Sequence, residues 1–146
     1  MSKPVFDTNV FLNYRTTISD NDLARMALST VVLYELTATT IEHSEWQRYE
    51  AWRHQAQRDG LLLTPTMSDW WESAKLVARV RYGAKAAAHG LTPKDPAAHL
   101  LQNDALIART AYLAKYYVVT GNIADFRKIQ RFLDVEVVEA RDYFGS

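Results

Sequence analysis

Apolar and polar positions along the 146-residue chain fall into short strand-like runs separated by longer stretches of helical period. Val5-Phe6 is an apolar pair that stops at Asp7, and Val10, Phe11 and Tyr14 then recur at helical spacing. That pattern predicts a buried strand feeding a helix, with Asp7 at the junction. Leu23 to Leu28 leads into Ser29, a suitable N-cap for a helix carrying Val31, Val32, Glu35 and Leu36. From Ser44 to Arg58 the positions Trp46, Tyr49, Trp52 and Ala56 predict a helix that Gly60 ends. Leu61-Leu62-Leu63 before Pro65 reads as a second buried strand. Ser68 is expected to open a long helix through Trp71, Ala74, Ala78 and Tyr82, with Gly83 as an interruption and Gly90 as its stop.

After the turn Thr92-Pro93-Lys94-Asp95-Pro96, the residues Ala105, Ile107, Ala108, Ala111 and Tyr112 predict a helix that begins near Asn103-Asp104. Tyr116 to Thr120 is the clearest β run, Asp125 to Phe132 a short helix, and Val135 to Val138 a last strand. Apolar strands alternating with helices imply an α/β fold in which helices cover both faces of a mostly parallel sheet. Ligands collect at the carboxyl ends of such strands, so Asp7 and the Thr120-Gly121-Asn122 segment are expected on one rim.

Composition narrows the chemistry. No linker, internal repeat or membrane-length apolar run interrupts the chain, which reads as one domain over residues 1–146 with no membrane association. An acidic residue arrives too early for a secretory apolar region, so the expected compartment is the cytoplasm. With no cysteine, thiolate metal sites and cysteine nucleophiles are excluded. The 17 basic residues balance 17 acidic ones, so contact with a polyanion would have to come from local arrangement.

Four carboxylates, Asp7, Glu35, Asp104 and Asp125, stand against apolar runs rather than among polar neighbours. Each has an ordinary reading as well: Asp7 and Asp125 as helix caps, Glu35 on an exposed helix face, and Asp104 favoured by a helix dipole. Their combination points further. Carboxylates gathered on one rim repel one another unless a cation neutralises them, and oxygen ligands favour Mg²⁺ or Mn²⁺. Such a centre activates water and supports phosphodiester hydrolysis. His43, His54, His89 and His99 offer no metal-binding pair, which disfavours a histidine-based mechanism. A phosphatase using Asp7 as nucleophile would want a second acid two residues on, where the chain has Asn9.

Four segments, Val5-Phe6-Asp7-Thr8-Asn9-Val10-Phe11, Ser29 to Leu36, Asn103 to Ala108, and Val118 to Phe126, resemble the PIN-domain ribonucleases in order and spacing. Among these the closest resemblance is to the VapC-type toxins of toxin–antitoxin pairs. The resemblance implies a three-layer α/β/α fold and an endoribonuclease that uses Mg²⁺ or Mn²⁺ without a covalent enzyme intermediate. Carried over by position, Asp7 and Asp104 would be metal ligands and Glu35 would bind or position metal and water. Thr8 and Thr120 would orient carboxylates or water by hydroxyl hydrogen bonds, with Asn9 in the same motif. The last acidic position falls on Asn122 or Asp125; Asp125 is favoured, with Asn122 hydrogen-bonding Asp7 or substrate.

RNA contact is expected first from Arg127 and Lys128, and less from Arg79, Arg81, Lys85 and Arg131. The resemblance further implies a VapB-like antitoxin that blocks the acidic pocket, and a homodimer whose contacts draw on the aromatic stretch from Trp46 to Tyr82. A catalytically inactive PIN-fold scaffold that binds a protein or RNA remains the alternative.

Overall fold

A computed structural model describes residues 2–83 and 92–145. The chain opens with β1 (Pro4–Phe6), α1 (Thr8–Asn13), α2 (Asp20–Arg25), β2 (Leu28–Ser29) and α3 (Thr30–Ala38). Next come α4 (His43–Arg58), β3 (Leu62–Leu63) and α5 (Met67–Tyr82). A 3-10 turn (Pro96–Leu101) leads into α6 (Gln102–Ala114), β4 (Tyr117–Thr120), α7 (Ile123–Gln130), β5 (Val137–Glu139) and α8 (Ala140–Phe144).

All strand pairs are parallel. β4 lies between β1 and β5, with Phe6 opposite Val119 and Thr120 opposite Glu139. A second pair joins β2 to β3, and a bridge between Val5 and Ala27 connects the two pairs. The resulting spatial order is β3-β2-β1-β4-β5, with β1 at the centre. Parallel strands need crossovers, and the helices that supply them cover the sheet. Accordingly Val5, Phe6, Val118 and Val119 are fully buried, as are Val32 and Leu36 of α3, Leu106 and Ile107 of α6, and Phe126 and Ile129 of α7.

This is the parallel α/β architecture that the alternating pattern predicts, with boundaries adjusted for local reasons. Leu61-Leu62-Leu63 is a half-buried edge pair rather than a buried strand, because β3 has a neighbour only in β2. α5 starts at Met67, one residue before Ser68, because Thr66 and Asp69 form a reciprocal capping box. Gly83 is the C-cap of α5, where its φ of 88° suits glycine. Gly90, Lys85 and His89 lie outside the described residues. α7 begins at Ile123, before Asp125, and β5 begins at Val137, leaving Val135 buried in the preceding loop. α2 and α8 have no counterpart in the sequence reading, being too short to show a helical period.

One polar tie crosses the helical layer. Asp69, 4% exposed, accepts from the backbone and hydroxyl of Thr66 on one oxygen and from Arg109 of α6 on the other. Burial alone would raise its carboxyl, but these donors hold it below the usual carboxylate range. The bond fixes α5 against α6, and α6 carries Asp104 in its first turn.

Candidate active site

Chain direction decides where the polar residues meet. Because every strand runs the same way, the residues just past β1 and at the end of β4 emerge on one rim of the sheet. Asp7 follows β1 and is the N-cap of α1, where its backbone N–H donates to the Val119 carbonyl at 2.9 Å. Helix cap and site residue are therefore one and the same, and the two readings of Asp7 do not compete.

The Asp7 carboxylate is 4% exposed and accepts three hydrogen bonds. Oδ1 accepts from the Thr8 backbone N–H at 2.8 Å, and Oδ2 accepts from the Thr120 hydroxyl at 2.8 Å and the Asn9 amide at 3.1 Å. Thr120 is fully buried and accepts in turn from the Asn122 backbone N–H at 2.9 Å. A carboxylate has roughly four lone-pair positions, so Asp7 keeps one of them, on Oδ1, free of a donor among the described residues. Burial raises its carboxyl above the ordinary value, the three donors oppose that, and the charge of Glu35 adds to it.

Glu35 stands on α3, half-buried, and accepts from the Thr8 hydroxyl at 2.8 Å. Thr8 thus bonds through its backbone to Asp7 and through its side chain to Glu35. Asp104, also half-buried, has no hydrogen-bond donor among the described residues. Burial pushes its carboxyl up to about 8, and the charges of Asp7, Asp125 and Glu35 push in the same direction. All four acids, separated by up to 118 positions in sequence, therefore lie within one another's field.

Asn122 departs from its expected place. Its amide donates to the Asp125 carboxylate at 2.7 Å rather than to Asp7, a side-chain pair formed where the chain turns after Thr120 into α7. The donor to Asp7 is Asn9 instead. Asn9 also accepts from the Gly121 backbone N–H at 2.9 Å, a bond that no sequence pattern announces because its donor is main chain. The histidines stand apart: His54 pairs with Glu50 on the exposed side of α4 and His99 with the Pro96 carbonyl. Lys128 is ion-paired to Asp95 at 2.8 Å, while Arg127 reaches only Gln130 of its own helix.

Among the described residues, no three acids or histidines yet converge closely enough to hold one ion between them directly. The donor set nevertheless fits a hard divalent cation. Asp104 has no donor among the described residues, Asp7 has a free lone pair, and burial raises both carboxyls, helped by Glu35 at Asp7 and by Asp7, Asp125 and Glu35 at Asp104. Mg²⁺ typically takes one or two carboxylates and keeps several waters, which asks for less convergence than an all-protein cage.

No family model matches the chain, and no curated protein matches it in sequence. Solved structures do. The chain is similar to FitAB bound to an IR36 DNA fragment, with 19% identity over 94% of each chain and a TM-score of 0.52. It is similar to DNA-bound VapBC from Salmonella typhimurium, with 20% identity over 96% of this chain and 99% of the other, at a TM-score of 0.58. VapBC2 from Rickettsia felis, bound to a DNA fragment from its promoter, shares 17% identity over 93% and 97%, at a TM-score of 0.55. With identities this low and coverage this complete, what the chain shares with these structures is its backbone architecture: it has the α/β fold of VapC- and FitB-type PIN domains.

Proposed function

We propose that the chain is a Mg²⁺- or Mn²⁺-dependent endoribonuclease, the toxin of a VapBC-type pair. The observation that carries this reading is the Asp104 carboxyl, pushed to about 8 by burial and by Asp7, Asp125 and Glu35 on a rim where open α/β sheets bind ligands. Structural carboxylates are normally stabilised by their neighbours, whereas here three acids destabilise a fourth. A site arranged so is poised for a cation.

Asp7 and Asp104 would hold the ion, with Glu35 and Asp125 contributing directly or through water. A divalent cation bound there supplies a Lewis acid that activates water and offsets charge on a phosphodiester. The protein's own part is orientation. Thr120 and the Thr8 backbone fix the plane of the Asp7 carboxylate, and the Thr8 hydroxyl fixes Glu35. Asn122 holds Asp125 at the mouth of the same rim. Glu35, held by the Thr8 hydroxyl, would accept a proton from an attacking water. Arg127 is exposed on the helix that carries Asp125 and is the cation left for an RNA phosphate, since Lys128 is engaged by Asp95.

The solved structures that share this fold are toxin–antitoxin complexes bound to DNA, which supports an antitoxin partner for this chain. A homodimer fits the exposed Trp46, Trp70 and Trp71, large apolar side chains that a monomer leaves in water. No described helix is long and apolar enough to cross a membrane. The test is cleavage of total RNA by purified protein in Mn²⁺, loss of cleavage in EDTA, and growth arrest on expression without the antitoxin. Metal-independent or absent cleavage would favour the scaffold reading.

A further inference from the structure

The tripeptide Asp7-Thr8-Asn9 sends three successive side chains to three different places. Asp7 enters the rim, Thr8 reaches Glu35, and Asn9 turns back to Asp7 and across to Gly121. Asn9 is the member with two bonds of opposite kind. Its Nδ2 donates to Asp7 Oδ2 at 3.1 Å, and its Oδ1 accepts from the Gly121 backbone N–H at 2.9 Å. The amide orientation is dictated chemically, because a carboxylate needs the donor end and a backbone N–H needs the acceptor end.

We propose that Asn9 is a positioning residue that braces the β4–α7 loop, bearing Asn122 and Asp125, against the Asp7 carboxylate, so that both halves of the acidic rim are held by one amide. The brace spans 112 positions of sequence and joins the junction after β1 to the junction after β4. It runs beside the Thr120 hydroxyl, which donates to the same Asp7 oxygen and accepts from Asn122 N–H. Loop and carboxylate are thereby connected twice, through Thr120 on the buried side and through Asn9 on the exposed side. A Cβ on Gly121 would stand 3.4 Å from Asn9 Oδ1 and 3.7 Å from its Cγ, so the Asn9 side chain lies directly against the loop backbone. Aspartate at position 9 would keep an acceptor for Gly121 but place a second carboxylate against Asp7. Alanine would keep neither bond.

This role rests on the ribonuclease reading for its catalytic meaning but not for its geometry, and the experiment separates the two. In metal-free protein, exchange of the Gly121 amide hydrogen is followed by NMR for wild type, Asn9→Ala and Asn9→Asp. About tenfold faster exchange is expected in Asn9→Ala and near wild-type exchange in Asn9→Asp, which retains the acceptor. Unchanged exchange in Asn9→Ala, or equally fast exchange in both variants, would overturn the proposal. In parallel, Mn²⁺ titrated calorimetrically into Asn9→Ala should bind about tenfold more weakly than to wild type; binding within twofold of wild type would also overturn it. Where RNA cleavage is measurable, kcat should fall about tenfold in Asn9→Ala with KM within twofold, since the loop is displaced but the RNA-facing cations are intact. Wild-type protein that binds no Mn²⁺ would defeat the ribonuclease reading and leave the amide-exchange comparison to decide the brace.

Discussion

Replacing Asp104 by asparagine should stabilise the metal-free protein, by an amount that grows as pH rises from about 4 to about 8. Its carboxyl is moved from 3.8 to about 8 on folding, so between those two values the folded chain holds a proton that the unfolded chain has released. Stability contributed at this position is complete below the unfolded value and falls as pH rises, by about 1.4 kcal/mol per pH unit. Across the whole window the loss is at most about 6 kcal/mol. Asp104 is only half-buried, so solvent and side-chain relaxation return part of that, leaving about 1–3 kcal/mol near pH 7.5. In a chain of this size that corresponds to roughly 3–10 °C in Tm. Thermal unfolding of wild type and Asp104→Asn should therefore come closest near pH 4 and separate progressively towards pH 8, with the variant the more stable. Saturating Mn²⁺ should stabilise the wild type selectively and narrow or reverse the gap. A variant that is less stable than wild type by the same amount at every pH, or identical to it at pH 8, would refute the claim that the neighbouring acids destabilise Asp104.

Asp69 should behave in the opposite sense. Its folded value is lowered, so its contribution is present above the unfolded value and disappears as pH falls through the folded one. Asp69→Ala removes the carboxylate half of the capping box with Thr66 and strands Arg109, and should cost about 2–4 kcal/mol in urea unfolding at pH 7, with the deficit shrinking below pH 4. Thr120→Val takes the hydroxyl from Asp7 Oδ2 and leaves the Asn122 N–H unpaired, so calorimetry should find Mn²⁺ bound at least tenfold more weakly; equal affinity would remove Thr120 from the site. Arg127→Ala should weaken RNA cleavage several-fold and flatten its salt dependence, whereas Lys128→Ala should act mainly through the lost Asp95 pair; the reverse ranking would exchange their roles.

The sheet was legible because its strands are short, apolar and buried on both faces. Val5-Phe6 and Val118-Val119 have no polar alternation to confuse the reading, and the polar residue that ends each run lies on the same rim because the strands are parallel. The four candidate carboxylates were picked out for the same reason, since a carboxylate beside a buried run has few places to go. What stayed hidden depends on contacts that sequence spacing does not encode. Asn122 pairs with Asp125 rather than Asp7 because of how the chain turns after Thr120, and Asn9 takes the vacated bond. Lys128 is drawn to Asp95, which is distant in sequence and looks like part of an ordinary turn. The short helices α2 and α8 owe their existence to a capping box at Ser19 and to aromatic packing of Tyr143 and Phe144 on Phe6, neither of which produces a period.

The zero net charge of the chain conceals an uneven distribution. Four of its acids crowd one rim, and a bound cation would offset them there, leaving the remaining surface more basic than the total suggests. That crowding is the physical basis of the proposed chemistry, and it is tested most directly by RNA cleavage measured side by side for wild type, Asp7→Asn and Asp104→Asn in Mn²⁺, with folding of each verified by thermal unfolding. The wild type should cleave and be silenced by EDTA, and each folded variant should lose at least a hundredfold in rate. Cleavage by either variant at the wild-type rate would contradict the account.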